Sequence, residues 1–230
     1  MLNPFTYSEN EREKIVKEQK KQIKSVYKEA SDEIKKEVKK LKGKNNVSAN
    51  ERRNYLKSLQ KEINSYMKNV DTKTEKIING NVDKMISIVF ENNNQFVNSL
   101  GFNFDITNSV IKKEMVNRIM SGSLYQGKWS LNKAIWGDNK AKQIEISKII
   151  SKGILKNKGL YDISKDLERY VNPNARKSYS WSNMFPGSRK KVDYNAQRLA
   201  RTTISHAYQE SFVRATINNP FIDAYRWITS

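Results

Sequence analysis

Residues 194–211 read YNAQRLARTTISHAYQES, and the prediction of the fold starts from this stretch. Its apolar residues recur at spacings of three and four, which is the period of one face of an α-helix. These residues are Ala196, Leu199, Ala200, Ile204, Ala207 and Tyr208. Because several of them are small, a neighbouring helix can approach closely. Another side carries Arg198 and Arg201 on one helical turn, together with His206, the only histidine of the chain. We therefore predict a packed helix that continues to Ile217.

The first part of the chain predicts two helices that pair as a hairpin. Only 4 prolines and 9 glycines occur in 230 residues, so long helices are expected. Ser8 is a predicted N-cap, and a thin apolar stripe with gaps of three and four follows it. Gly43 ends this helix. Ser48 and Glu51 have the spacing of a capping box that starts the second helix. Residues 1–70 are therefore predicted to form an N-terminal helical hairpin, or arm.

Residues 71–230 are predicted to form a helical body that ends in a short β segment. Thr72 and Glu75 repeat the capping-box spacing and precede the richest apolar stripe of the chain. The last stretch, FIDAYRWIT (221–229), is β-prone and follows a turn. It either joins a small sheet or leads into further chain. The predicted fold class is mainly α, with a long N-terminal helical hairpin, a helical body and a short C-terminal β segment.

The charge balance of the chain is strongly basic. The chain has 43 lysines and arginines against 24 aspartates and glutamates, a formal net charge of +19. Such a charge attracts polyanions, above all nucleic acid. The alternative is that lysine serves mainly as a solubilising residue, because much of it is interleaved with glutamate.

Residues 172–191, NPNARKSYSWSNMFPGSRKK, are the least regular stretch, and we call them the basic segment. The segment contains no acid and alternates three aromatic residues with five basic ones. The aromatic residues are Tyr179, Trp181 and Phe185, and the basic residues are Arg176, Lys177, Arg189, Lys190 and Lys191. Cations interleaved with stackable rings are typical of a surface for single-stranded nucleic acid or for a phosphate backbone. A loop that docks its aromatic rings onto the body explains the same pattern.

Several kinds of site are excluded by composition. The absence of cysteine and the single histidine exclude a disulfide, a thiolate zinc site and a multi-histidine metal site. Gly122 and Gly127 lack the spacing of a phosphate-binding loop, so no cofactor is predicted. His206 has Arg201 and Glu210 at helical offsets. A lone histidine beside arginine is more typical of packing or hydrogen bonding than of catalysis, and we do not predict an enzyme.

The sequence also lacks the features of an exported or membrane-spanning protein. The opening MLNPFTYSENEREK has no apolar run typical of a signal peptide. No stretch reaches the roughly 18 consecutive apolar residues of a membrane span. We expect a soluble protein with no membrane partner, kept in a cytoplasm or in a particle assembled there.

Three segments, in this order, resemble the phage Mu F-like family of minor head proteins, the head-morphogenesis proteins of tailed bacteriophages. The first is Ser-Gly-x-x-Tyr-x-Gly-x-x-Ser, residues 121–130, with Ile135-Trp136 after it. The second is a helix with Gly153 and Gly159 followed by Asp162-Ile163-Ser164. The third is Ala196-x-Arg198-Leu199-Ala200-Arg201-Thr202, then Ala207-Tyr208 and an aromatic strand with Trp227. The resemblance covers about residues 107–230.

The resemblance implies a structural protein present in few copies inside the virion head, made in the host cytoplasm. It implies association with the portal protein and a role in packaging, retention or ejection of the double-stranded DNA genome. The major capsid protein or a scaffolding protein is a further implied partner. The strong positive charge is consistent with a protein that meets densely packed phosphate.

The chain departs from the family pattern at two places. Thr203 stands where the family commonly has glutamate after Arg-Thr, which removes a carboxylate partner for Arg201. The cysteine pair that many members have after the aromatic strand is absent. Arg198 and Arg201 either pair internally with acids or face DNA or the portal, and for Arg201 we favour internal pairing. The predicted acids are Asp166, Glu168 and Glu210.

Two other functions stay open at this point. The first is a free-standing, helical nucleic-acid-binding protein, which the basic balance and the basic segment favour. The second is an enzyme, and the grouping of residues around His206 is the only feature that favours it.

Overall fold

A computed structural model describes residues 4–103, 109–123 and 130–219. The described chain is mainly helical, which confirms the predicted class. The helices are α1 (Pro4–Lys40), α2 (Ala49–Ser99), α3 (Ser109–Ser121), α4 (Leu131–Leu155), α5 (Leu160–Val171), α6 (Tyr179–Met184) and α7 (Tyr194–Ile217). The predicted β segment at 221–229 lies outside the described residues. None of the described helices combines the length and apolar character needed to cross a membrane.

The connection between α1 and α2 follows the predicted turn chemistry. Gly43 has φ +85°, a left-handed conformation that other residues rarely adopt. The Ser48 amide donates to the Glu51 carboxylate at 3.0 Å, and the Glu51 amide donates back to Ser48 Oγ at 3.3 Å. These reciprocal bonds are a capping box. They satisfy amides at the start of α2 that have no partner within the helix.

The predicted start of α1 is wrong. Helix α1 begins at Pro4, four residues before the expected N-cap. Proline suits the first turn of a helix because its φ is already helical and its missing amide hydrogen is not needed there. Ser8 is instead buried inside the helix, where its hydroxyl accepts a hydrogen bond from Asn92 Nδ2 at 2.7 Å.

The predicted helix start at Thr72 is also wrong, because α2 runs without a break from Ala49 to Ser99. Thr72 Oγ1 donates to the carbonyl oxygen of Lys68 at 3.3 Å, a bond made inside a helix rather than at its first turn. Gly80 does not interrupt α2 either. The boundary that we placed between residues 70 and 71 thus lies within a continuous helix, and the division into arm and body stays a prediction.

The chain forms two compact units. Unit 1 consists of Met1–Lys20, Lys76–Asn132 and Leu199–Ser230, and unit 2 of Lys21–Glu75 and Lys133–Arg198. The buried apolar side chains of unit 1 include Ile15, Ile78, Met85, Ile86, Phe90, Met115, Ile119, Ile204 and Ala207. Those of unit 2 include Ile23, Ile34, Leu56, Ile63, Met67, Ile146, Ile149, Leu160, Ile163, Leu167, Trp181 and Phe185. Each unit therefore has its own apolar core, built from several helices.

Two glycines allow close contacts inside unit 2. A Cβ atom at Gly153 in α4 would lie 2.6 Å from Cγ1 of Ile163 in α5. A Cβ atom at Gly159 would lie 2.5 Å from Oδ1 of Asn45, which accepts a hydrogen bond from the Tyr161 amide at 2.9 Å. The glycines that the sequence placed around the turn between α4 and α5 thus fix how α5 packs.

We expect Gly153→Ala to lower the free energy of unfolding by about 1–3 kcal/mol, because the added methyl group would overlap the buried Ile163 side chain. Gly137→Ala, in the same helix but with no atom within 4 Å of the added Cβ, should raise it by about 0.5–1 kcal/mol. Urea unfolding followed by circular dichroism measures both. Equal effects of the two variants would contradict the close contact.

Candidate nucleic-acid interface

The positive charge of the chain is concentrated in unit 2. Unit 2 contains 30 of the 43 basic residues and 14 of the 24 acidic ones, so its formal net charge is +16. Unit 1 contains the other 13 basic and 10 acidic residues, a net charge of +3. A polyanion is therefore attracted mainly to unit 2.

Within unit 2, the lysines of α1 are partly matched by glutamates on the same helix. Lys36 Nζ lies 2.6 Å from Glu33 Oε1, and Lys40 Nζ lies 2.7 Å from Glu37 Oε1. Exposed pairs of this kind stabilise a helix only slightly, but they reduce the local field. The basic segment has no such partners in its sequence, which makes it the strongest candidate for anion contact.

The basic segment is anchored to unit 2 by two of its aromatic side chains. Trp181 and Phe185 are buried, with ring centroids 4.8 Å apart. Trp181 Nε1 donates to Ser188 Oγ at 2.8 Å, and the guanidinium carbon of Arg169 lies 5.4 Å from the Trp181 ring centroid. Of the two interpretations of the basic segment, the burial of these two rings agrees with the docked loop. Tyr179 differs, because 83% of its surface is exposed.

Four of the five predicted contact residues are exposed, namely Arg176, Arg189, Lys190 and Lys191. Lys190 Nζ lies 4.2 Å from the centroid of the Tyr194 ring, a cation–π contact at the surface.

Lys177 is the exception among the predicted contact residues. Its Nζ donates to the Lys190 carbonyl oxygen at 2.9 Å and lies 5.1 Å from the Tyr170 ring centroid. Burial disfavours the charged amine and lowers the pKa of Lys177 to about 8. This lysine ties the two ends of the basic segment together.

A cavity of about 250 Å³ lies beside the exposed cations, and we call it the polar cavity. Its lining residues are Asp138, Ala141, Lys142, Glu145, Tyr170, Pro186, Gly187, Arg189, Lys190, Lys191, Val192 and Asn195. Lys142, Glu145 and Tyr170 are buried, whereas Arg189, Lys190 and Lys191 are exposed. The basic segment thus borders a set of buried titratable groups.

Lys142 is the centre of this buried set. Its Nζ lies 2.5 Å from Asp138 Oδ2 and donates to the Tyr27 hydroxyl, also at 2.5 Å. Burial by itself disfavours the ammonium, but the neighbouring Tyr27 oxygen and Asp138 carboxylate raise the pKa of Lys142 by more. Burial also raises the pKa of Tyr27 to about 12, so its hydroxyl stays protonated. Asp138 accepts a further hydrogen bond from Asn195 Nδ2 at 2.8 Å, which connects α4 to the start of α7.

Two more carboxylates lie near this ammonium. Asn139 Nδ2 donates to Asp71 Oδ2 and so joins α4 to α2. Burial, the largest cause, raises the pKa of Asp71 to about 6, although Lys142 and Asn139 oppose the rise. Glu145 is 7% exposed, and its Oε1 accepts from Lys148 Nζ at 2.8 Å. A Cβ atom at Gly187 would lie 2.4 Å from that Oε1, so the glycine turn covers the carboxylate directly.

The spacing of residues along α4 indicates that Lys142 is buried. Ile135, Asn139, Lys142, Ile146 and Ile149 follow one another at spacings of four, three, four and three. All five are buried. A lysine in the phase of a core stripe, with an aspartate four residues before it, indicates a buried ion pair rather than a surface one.

The residues that carry the family resemblance lie on α7, whose predicted bounds are confirmed. Ala196, Ala200 and Ala207 are buried, Leu199 and Tyr208 are half-buried, and Arg198, Arg201 and Thr202 are exposed. The small residues thus face the core as predicted. Thr203, at the position of the family glutamate, is buried and donates to the Leu199 carbonyl oxygen at 2.9 Å.

The internal ion pair favoured for Arg201 is wrong. Arg201 is exposed, and none of the three acids predicted for it lies within ion-pair distance. Glu210 lies 3.6 Å from Arg118 Nη1 and 3.4 Å from Arg214 Nε, and Asp166 lies 2.5 Å from Lys158 Nζ. Among the described residues, neither Arg198 nor Arg201 forms an ion pair with an acid, and both are exposed.

His206 is half-buried on α7, and burial lowers its pKa. Glu210, four residues further along the helix, forms ion pairs with Arg118 and Arg214 of unit 1. Among the described residues, no group of three histidine, aspartate or glutamate side chains could hold a metal ion. The geometry around His206 gives no further support to the catalytic interpretation.

Comparison with known proteins gives no relative for this chain, since no family model, no curated protein and no solved structure matches it.

Removal of the buried ammonium should destabilise the protein strongly. We expect Lys142→Met to lower the free energy of unfolding by about 3 kcal/mol, because Asp138 would lose the buried cation that it contacts. Lys190→Met removes an exposed cation and should change the same quantity by less than about 0.5 kcal/mol. Chemical unfolding at pH 7 measures both variants. A loss below about 1 kcal/mol for Lys142→Met would contradict the role of the ion pair.

The raised pKa of Asp71 predicts how stability depends on pH. The unfolded carboxyl group loses its proton near its ordinary pKa of 3.8, whereas the folded one keeps it until about pH 6. The folded state therefore binds more protons between these values, and the free energy of unfolding falls as the pH rises from about 4 to 6. Asp71→Asn should remove this fall and be more stable than the parent above pH 6. Urea unfolding at pH 4, 5, 6 and 7 provides the measurement, and parallel pH profiles for the two proteins would refute the prediction.

Proposed function

We propose that the protein is a minor structural component of a tailed-phage head, or of a phage-like particle, that binds double-stranded DNA through unit 2. It would be present in few copies in the head interior, after synthesis in the host cytoplasm. There it would associate with the portal and act in head morphogenesis and in packaging, retention or ejection of the genome. Contact with the major capsid protein or a scaffolding protein is part of the same proposal.

The observation that carries the proposal is the concentration of charge in unit 2, with a net +16 against +3 in unit 1. Lysine used only as a solubilising residue would be spread over both units. The acid-free basic segment adds four exposed cations that are held by a docked, well-anchored loop. A rigid cationic surface favours binding to phosphates because little conformational freedom is lost on contact.

The assignment to a phage head rests on the sequence resemblance to the Mu F-like family. Two features of α7 support it. The small residues of the motif lie on the buried face, and Arg198 and Arg201 lie exposed, where a partner can reach them. The proposal treats the protein as a structural component without catalytic activity.

A free-standing nucleic-acid-binding protein is the second candidate, and the same concentration of charge favours it. Both candidate functions include DNA binding, but only the first includes association with the portal protein. A pull-down with portal protein, together with mass spectrometry of purified heads, separates them. Binding to DNA without portal association, and absence from heads, would leave only the second candidate.

DNA binding itself has a direct test. The triple variant Arg189→Gln, Lys190→Gln, Lys191→Gln should bind duplex DNA more weakly and should flatten the plot of log affinity against log salt by roughly 2–3 units, as expected for the loss of two or three phosphate contacts. The matched control Lys14→Gln, Lys17→Gln, Lys20→Gln removes the same charge from exposed positions of unit 1. It should change the slope much less.

Fluorescence anisotropy over a salt series gives both slopes. An affinity of the parent protein that does not change with salt would reject DNA binding through phosphates. Equal effects of the two triple variants would reject unit 2 as the binding surface.

A further inference from the structure

A second concave surface of unit 2 lies between α2 and α4, and we call it the lysine groove. Its volume is about 580 Å³. The lining residues are Gln60 and Asn64 of α2 and Lys140, Gln143, Ile144, Ser147, Lys148, Ser151 and Lys152 of α4. Nothing in the sequence pattern pointed to this groove, because its two walls are far apart in the chain.

The lining of the groove consists almost entirely of hydrogen-bond donors. The described lining has three lysines, three side-chain amides and two serine hydroxyls, and it includes no acid. Lysine, amide and hydroxyl groups are the side chains that bind phosphate oxygens in protein–DNA complexes. An acid-free, donor-rich groove in a unit of net charge +16 is complementary to a row of phosphates.

The groove is held in shape by contacts across and beneath it. Gln60 Nε2 donates to Ser147 Oγ at 2.9 Å and so joins α2 to α4. Lys148 pairs with the buried Glu145, yet its side chain keeps 55% of its surface exposed. Lys152 Nζ donates to the carbonyl oxygen of Met184 and lies 5.2 Å from the Phe185 ring centroid. Through Lys152, the groove adjoins the basic segment that carries Arg189, Lys190 and Lys191.

We propose that the lysine groove holds the sugar–phosphate backbone of duplex DNA, an inference that rests on the DNA binding proposed above. Among the described residues that line the groove, none is aromatic, whereas single-strand sites use aromatic rings on which unpaired bases stack. Its one apolar residue, Ile144, does not supply the series of apolar contacts that an amphipathic partner helix requires. Contacts to the backbone alone also make the binding independent of base sequence.

The test places carboxylates in the groove without disturbing the buried pairs. Ile144→Glu, Ser151→Glu adds two negative charges at exposed groove positions. Ser58→Glu, Ser65→Glu is the matched control, at exposed positions of α2 that do not line the groove. Circular dichroism and thermal unfolding establish that both variants are folded. The probes are a labelled duplex of random sequence, the corresponding single strand, and poly-glutamate as an acidic polypeptide.

We expect the groove variant to bind the duplex at least about tenfold more weakly than the parent at low salt. The slope of log affinity against log salt should also become shallower by the amount expected for the loss of about one phosphate contact. The control should stay within about threefold of the parent, since it changes only the overall field. In the parent protein, bound duplex should protect Lys140, Lys148 and Lys152 from acetylation, as read by mass spectrometry.

Three outcomes overturn the inference. The first is an equal loss of affinity in the groove variant and its control, with the three lysines unprotected. The second is a loss of affinity for poly-glutamate but not for duplex, which would assign the groove to an acidic protein. The third is a stronger effect on the single strand than on the duplex. A parent protein that binds no duplex at all would reject the proposed DNA binding itself, whereas the three outcomes above leave that function standing.

Discussion

The ammonium group of Lys142 connects most of the helices of unit 2. It contacts Tyr27 on α1 and Asp138 on its own helix, and Asp138 continues to Asn195 at the start of α7. The next residue, Asn139, reaches Asp71 on α2. A buried charge is stable only if its partners are fixed, because each unsatisfied group in a low-dielectric site costs several kcal/mol. Three neighbouring polar residues of α4, Asp138, Asn139 and Lys142, thus connect α4 to α1, α2 and the start of α7.

This arrangement has an electrostatic consequence for the surface. Unit 2 carries a large excess of positive charge, and its 14 acids are unevenly distributed. Asp138 pairs with the buried Lys142, and Glu145 pairs with Lys148. Glutamates on α1 pair with lysines of the same helix. The basic segment contains no acid of its own, so its positive charge is compensated only by carboxylates outside the segment, such as Glu145 and Asp193.

The sequence was most informative where periodicity and turn chemistry agree. The bounds of α7, the glycine turn at Gly43 and the capping box at Ser48 follow from local rules, and all three were predicted. Local rules failed at Ser8 and Thr72, where a residue that favours a cap sits inside a continuous helix. There the packing of the apolar stripe on both sides outweighs one side-chain preference. The lysine groove and the buried Asp71–Asn139 contact join residues more than 60 positions apart, and no single-sequence pattern specifies such pairs.

The two units differ in what they offer a partner, and this difference bears on the proposed function. A surface that binds DNA needs a high density of cations, which unit 2 has. The centre of a protein–protein interface is usually depleted of charged residues. Both units expose large apolar side chains, such as Leu100 in unit 1 and Leu155 in unit 2, but unit 1 has a net charge of only +3. Most of the motif that resembles the minor head proteins, from Leu199 to Tyr208, also belongs to unit 1. Under the proposed function, the portal contact therefore belongs to unit 1 and the DNA contact to unit 2, so that each can be abolished without the other.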